Sequence, residues 1–428
     1  GAWTADFRFP RDAAVWAFAR SDLARVSNQP WRPESWTVET PGVRLERQGW
    51  YDVLVAADGG PVPRNVRIRF TPFAEDIETG YDAALVFTDG SVALFDQQFK
   101  AFPAASPAEV AALPLDAGQV PAAAQATRVT FRDAGGRVLH AGRRHASVTL
   151  DDAGTYVLFG PAEPIVTDAI AAIVDPGLPG WLGDFLDVQT PLILGRYAAA
   201  LGPPPGPKPT LMASWGGPVG GPGHVSTGGS VLPGLVVMTF MGEGLLEEQP
   251  PVRDQTRWFI AHEGAHFWLG QAVMYESPRD AWITEGGADL LAIRTVAAID
   301  PAYDARAALQ RLLDECLKLS AGGPLSSAQE RGAHRAFYGC GAMFGLAAEA
   351  SSGKSFPAWI RPLIDANRAD GVLSRAEWLA ALGDPALRQA VLALLDTGAA
   401  DPARAYAALF ARAGVPHVLA ADGTLTLQ

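Results

Sequence analysis

The chain has 428 residues, of which 48% are hydrophobic and 19% charged, with a net charge of −12; this excludes a disordered chain and makes nucleic acid or an anionic membrane a poor partner. Its length predicts two or three domains with a sizeable core. No apolar run reaches the roughly 18 residues of a membrane span.

The chain opens with GAWTADF, and no signal peptide is visible. A trimmed mature form would be secreted or periplasmic, and otherwise the chain would be cytoplasmic, so the compartment stays open. Residues 1–163 alternate apolar and polar side chains between Gly, Asp and Pro punctuation in SWTVET, YDVLVAADG, RNVRIRF, YDAALVFTDGSVALF, RVTFRDAGGRVLH and TYVLFGP. This pattern predicts an antiparallel, β-sandwich-like domain. FRDAGGRV carries the glycines, Gly135 and Gly136, that a tight hairpin needs. The Ala/Pro-rich stretch 104–126 reads as a surface loop with a short helical turn.

From residue 164 the period changes. GWLGDFLDVQTPLILGRYAAALG (180–202) has helical spacing and stops at Gly202. TLMASW reads as a strand, and GGPVGGPGHVSTGG as a mobile loop, since it lacks the Lys and Ser/Thr of a phosphate loop. VLPGLVVMTFM (231–241) reads as a buried strand interrupted by Pro233 and Gly234. After residue 252 apolar stripes at helical period continue almost to the end. Cys316 and Cys340 permit one bridge, with two free buried thiols as the default reading. DANRADGVLSRAE is not a calcium loop, because Asp370 and Gly371 miss the required offsets from Asp365.

WFIAHEGAHFWLG (258–270) holds the chemistry. Residues four apart share a helix face, so His262 and His266 can aim both imidazoles at one metal ion. Glu263 sits one step round, placed to take a proton from water there. The plain alternative is three polar residues on an ordinary helix, and a third ligand decides against it. AWITEGGADLLA (281–292) supplies Glu285, with eighteen residues between it and His266, enough for a turn and a returning helix. Asp289, four residues after Glu285, is placed to accept the outer N–H of a ligating histidine. Three protein ligands describe an open site for one Zn²⁺.

His262, Glu263 and His266, followed by eighteen residues and then Trp282, Glu285 and Gly286 as W-x-x-E-G, resemble the gluzincin metallopeptidases. The likeness is greatest to the alanyl-aminopeptidase and leukotriene A4 hydrolase family and its glycyl-aminopeptidase relatives. It covers residues 255–345. It implies an α+β multidomain protein: an N-terminal β domain (1–163), a thermolysin-like zinc catalytic domain (164–350) and C-terminal helices (351–428). It also implies an oxyanion-stabilising tyrosine in a Y-x-x-G context, which Tyr338 supplies at 338 − 285 = 53 residues after Glu285. His334, one turn earlier, competes for that duty.

One departure concerns substrate selection. The family carries a G-x-M-E-N-like strand whose glutamate binds a free amino group. Here STGGSVLPGLVVM (226–238) has Gly228 and Gly229 with no glutamate after them. That strand can still bind an extended substrate backbone, while Glu243, Glu247 and Glu248 read as a solvated turn. The expected function is zinc-dependent hydrolysis of a peptide or small protein. The alternatives are a zinc-binding module without activity and a non-peptide hydrolase acting, for example, on epoxides. Residue preference, exo- or endo-action and oligomeric state are open.

Overall fold

Side-chain alternation decides the first half of the chain. In the strand Val15–Phe18, Val15 and Ala17 face one side, and Trp16 and Phe18 the other. The adjacent strand Tyr51–Ala56 repeats this, with Tyr51, Val53 and Val55 opposite Leu54. With Val43–Gln48 and Ala101–Ala104 they form a four-stranded antiparallel sheet buried on both faces. One face joins Trp31, Trp36, Ile68 and Phe70 in the larger core; the other packs on Val110, Val120 and Ala123. Trp3–Arg8, Asn65–Phe70 and Trp36–Val38 make a three-stranded sheet in that order. Arg143–His145, Val138–His140, Tyr156–Phe159, Val92–Phe95 and Ala84–Val86 make one of five.

This computed structural model describes residues 3–428 except 79, 80, 126, 169 and 207; Gly1, on which the trimmed-chain reading bears, lies outside them. The chain is mixed α+β and forms two compact units. One comprises Gly1–Ile165, Ile173–Leu178 and Ala213–Gly216; the other comprises Val166–Ala172, Pro179–Met212 and Gly217–Gln428. Among the described residues no helix is long and apolar enough to cross a membrane.

One expectation for the first unit is corrected. The Ala/Pro-rich stretch lies mostly at the surface and holds the short helix Pro107–Ala111, as expected, while Val110, Val120 and Ala123 reach inward to cover the second face of the four-stranded sheet. FRDAGGRV, however, does not close a hairpin. Arg128–Phe131 pairs with Val148–Asp151, whereas Val138–His140 pairs with Arg143–His145. Asp133 accepts from the Gly135 N–H at 2.9 Å, and neither Gly135 nor Gly136 adopts the left-handed conformation. The tight turn falls instead at Ala141 and Gly142, with φ of 49° and 69°.

Burial, followed by the charge of Asp76, pushes the Asp82 carboxyl up to about 6 from 3.8, against a backbone hydrogen bond from Ile77. The folded state therefore favours the protonated acid. This stabilising contribution is full below about pH 3.8 and is lost as pH rises through 6. Asp82→Asn should therefore stabilise the protein by about 3 kcal/mol at pH 8 and leave it unchanged near pH 3.5. Denaturant melts at the two pH values check this; an equal effect at both would contradict it.

The second unit is built on helices. α1 spans Gly180–Leu201 and ends at Gly202, whose φ of 84° no other residue type adopts easily. α2 is Pro250–Ala265, α3 Trp282–Ile299, α4 Ala305–Ser320 and α5 Ala336–Ser352. Helices Phe356–Asn367, Pro385–Asp396 and Pro402–Ala413 follow within the same unit. Glycines set the closest packing: a Cβ on Gly286 of α3 would fall 2.3 Å from the backbone of Gly341 on α5. The two cysteines are not free thiols; α4 and α5 approach closely enough for Cys316 and Cys340 to form a disulfide.

Residues 231–241 are not one interrupted strand. Ser226–Leu232 and Leu235–Met241 are antiparallel partners in register from Ser226↔Met241 to Leu232↔Leu235. Pro233 and Gly234 (φ 69°) are the two-residue turn between them. The glycine-rich loop thus ends sooner than expected, and Gly228 and Gly229 lie in a strand. Ser226–Leu232 ends the sheet order, and among the described residues no further strand follows it.

Candidate metal centre

α2 runs with its apolar face buried until His262, which is only 4% exposed. The helix ends at Ala265, one residue earlier than the histidine spacing suggests. His266 keeps a helical backbone as its C-cap (φ −67°, ψ −13°), so the two rings still lie one turn apart. Their Nε2 atoms approach to 3.2 Å. Glu285, in the first turn of α3, brings Oε2 to 3.6 Å from His262 Nε2 and 3.5 Å from His266 Nε2.

This triangle is one that a cation completes. The Leu269 carbonyl can only accept, so His266 Nδ1, 2.8 Å away, carries that ring's proton. His262 Nδ1 lies 2.8 Å from Asp289 Oδ1 and donates to it. When the rings are neutral, both Nε2 atoms therefore turn lone pairs, alongside a carboxylate oxygen, to one point. For zinc bonds of about 2.0–2.2 Å, tetrahedral ligands stand about 3.3–3.6 Å apart, which the three separations match. Among the described residues these three side chains form the group able to hold a metal ion.

The surroundings favour positive charge at that point. Burial works against a charged His262, yet Asp289, then Glu285 and Glu263, outweigh it and raise its pKa to about 10. Burial likewise opposes ionisation of Glu285, but His266 and His262 hold its carboxyl far below the usual range. Asp289 is fully buried, and its Oδ2 has no hydrogen-bond partner among the described residues. A carboxylate left half-satisfied costs a few kcal/mol unless a nearby cation offsets it.

Glu263 is partly exposed, on the side of α2 facing the strand Ser226–Leu232. A Cβ on Gly229 would fall 2.7 Å from the Glu263 carboxylate and 2.7 Å from Phe259 Cζ. One on Gly228 would fall 2.6 Å from Thr239 Oγ1. The glycine pair is thus what lets an exposed strand lie against the carboxylate. The ring of Tyr338, on α5, lies 5.6 Å from that of His262 at 15°. Burial, then the charge and hydrogen bond of Glu285, push its phenol well above the usual range, so it stays protonated and able to donate.

The structure therefore brings together His262, His266, Glu285, Asp289, Glu263, Tyr338 and Gly229. His334 is exposed and touches the rings of Phe337 and Tyr338. Glu247, Glu248 and His224 are exposed, and Glu243 opens a short 3₁₀ turn. The sequence reading missed Gly341, Arg335 and Glu315. Gly339, Gly341 and Gly345 within one helix were a usable signal: each costs about 1 kcal/mol of helix propensity, which close packing must outweigh. Trp258 is half-buried, and its ring lies 5.4 Å from that of His262.

Neither a protein-family model nor a curated protein matches the sequence. Among solved structures, the chain is similar to an aminopeptidase N family protein from Idiomarina loihiensis. The TM-score is 0.61 at 10% identity, covering 94% of this chain and 74% of that one. A zinc metallopeptidase from Deinococcus radiodurans gives a TM-score of 0.47 at 17% identity, over 92% and 88% of the two chains. Leukotriene A4 hydrolase from Saccharomyces cerevisiae gives 0.49 at 12%, over 93% and 62%. In its fold, this chain is like an aminopeptidase N family protein.

Proposed function

We propose that this chain is a zinc-dependent peptidase whose metal is held by His262, His266 and Glu285. The observation that carries this is the convergence of two imidazole Nε2 atoms and a carboxylate oxygen within 3.2–3.6 Å of one another. When bound there, zinc supplies a Lewis acid that polarises a carbonyl and makes water easier to deprotonate.

The chain's own residues do the rest. Glu263, beside the ligands but not among them, accepts the proton of the attacking water and passes it to the leaving amine. Tyr338 donates its phenol proton in a hydrogen bond to the oxyanion of the tetrahedral intermediate. Asp289 fixes the His262 tautomer and so keeps Nε2 free for the metal. The end strand Ser226–Leu232, exposed at Gly228 and Gly229, binds the substrate as an added strand beside those glycines. We read residues 164–350 as a thermolysin-like catalytic domain. The Cys316–Cys340 bridge supports an oxidising compartment, secreted or periplasmic.

The strand holds no carboxylate to grip a free amino group. Peptides with free and with acetylated N-termini should therefore be hydrolysed at rates within about tenfold of each other. A chelator should abolish both activities and zinc should restore them. Cleavage of the free-amine set alone would show that another carboxylate selects the N-terminus. Hydrolysis of neither set would contradict the peptidase reading.

A further inference from the structure

The turn that delivers Tyr338 is braced by a pair of charges outside the metal group. Arg335 precedes α5 and lies one helical turn before Tyr338, with its guanidinium carbon 4.3 Å from the centre of the tyrosine ring. From Nε and Nη2 it donates to the two carboxylate oxygens of Glu315 on α4, at 3.2 and 3.0 Å. Beyond the arginine, the Tyr338 ring lies near-parallel to that of His262, 5.6 Å between centres. A line of contacts thus runs from Glu315 through Arg335 and Tyr338 to His262.

We propose that Arg335, held by Glu315, is a positioning residue for Tyr338, setting the plane of its ring so that the phenol meets the oxyanion. This rests on the reading of Tyr338 as the oxyanion donor. A role in overall stability does not account for the pair. The two side chains are 50% and 31% exposed, and ion pairs of that exposure contribute little to folding. The arrangement also uses what distinguishes arginine from lysine: a planar fork grips both carboxylate oxygens while stacking on an aromatic ring. The backbone of the same two helices is tied independently, because Cys316 follows Glu315 and bonds Cys340, two residues after Tyr338. Removing Arg335 should therefore free the ring without releasing the helix.

A double-mutant cycle tests this. kcat and KM for a peptide would be measured in the wild type, Arg335→Ala, Tyr338→Phe and the double variant, together with zinc content and melting temperature. Arg335→Ala should lower kcat about tenfold, with KM within twofold and both zinc content and melting temperature unchanged. Tyr338→Phe should lower kcat about 100-fold, and the double variant should be no slower than Tyr338→Phe alone. Arg335→Lys keeps the charge but not the fork and should recover part of the loss. Wild-type kcat in Arg335→Ala, or the same tenfold loss on the Tyr338→Phe background, would overturn the proposal. Full activity in Tyr338→Phe alone would instead strike the reading of Tyr338 on which it rests.

Discussion

Glu263→Gln should keep one zinc per chain while lowering peptide hydrolysis about 1,000-fold. Glutamine matches the volume of glutamate, so it fits beside Gly229 as the glutamate does. The three ligands are untouched, since Glu263 lies beside their meeting point. What disappears is a group that accepts a proton. KM should change little, because the strand edge that binds substrate keeps its position. Paired zinc analysis and steady-state kinetics separate the possibilities. Zinc retained with a rate within tenfold of wild type would show that another group is the base. Zinc lost would show that Glu263 serves the metal directly.

The second large effect concerns a residue that touches no substrate. Gly341→Ala places a Cβ 2.2 Å from the Trp282 carbonyl oxygen and 3.0 Å from Gly286 Cα. Helix backbone has no rotamer with which to yield, so α3 and α5 must separate. Overpacking of this kind costs about 3 kcal/mol. The functional cost should exceed what lost stability alone explains. Glu285 lies on one helix and Tyr338 on the other, and misplacement by about 1 Å can cost 100-fold in rate. Gly195→Ala is the control: it sits in α1 with open space around its Cβ, so it should be neutral or stabilising by up to ~1 kcal/mol. Thermal melts and kcat measured on both variants test the idea. A Gly341→Ala protein that melts and turns over like wild type would contradict it.

The convergence of His262, His266 and Glu285 was legible because its geometry is local. Two histidines at one-turn spacing converge wherever a helix forms, and eighteen residues suffice for the return that brings Glu285 to them. Asp289 followed from the same spacing, and the β-then-α order of the chain followed from the change in apolar period. What escaped the sequence depends on contacts between distant segments. The hairpin Ser226–Met241 was hidden because glycines signal loops, yet here they clear space beside Glu263. Apolar–polar alternation on either side of Gly135 and Gly136 suggested a hairpin, but the two strands find partners elsewhere; a turn signal says nothing about which strand lies nearest. The stretch 104–126 read as surface and is mostly exposed; what its sequence did not show is that Val110, Val120 and Ala123 reach inward onto a sheet face. Arg335 and Glu315 are twenty residues apart and read as ordinary surface charges until α4 and α5 are packed together.

The central claim is that His262, His266 and Glu285 hold one zinc ion, and the most direct measurement is metal content by elemental analysis of freshly purified protein. One equivalent of zinc should be present and should survive extensive dialysis. Glu285→Gln and His266→Ala should each lose it while remaining folded. Protein without tightly held zinc, or variants that keep it, would contradict the account.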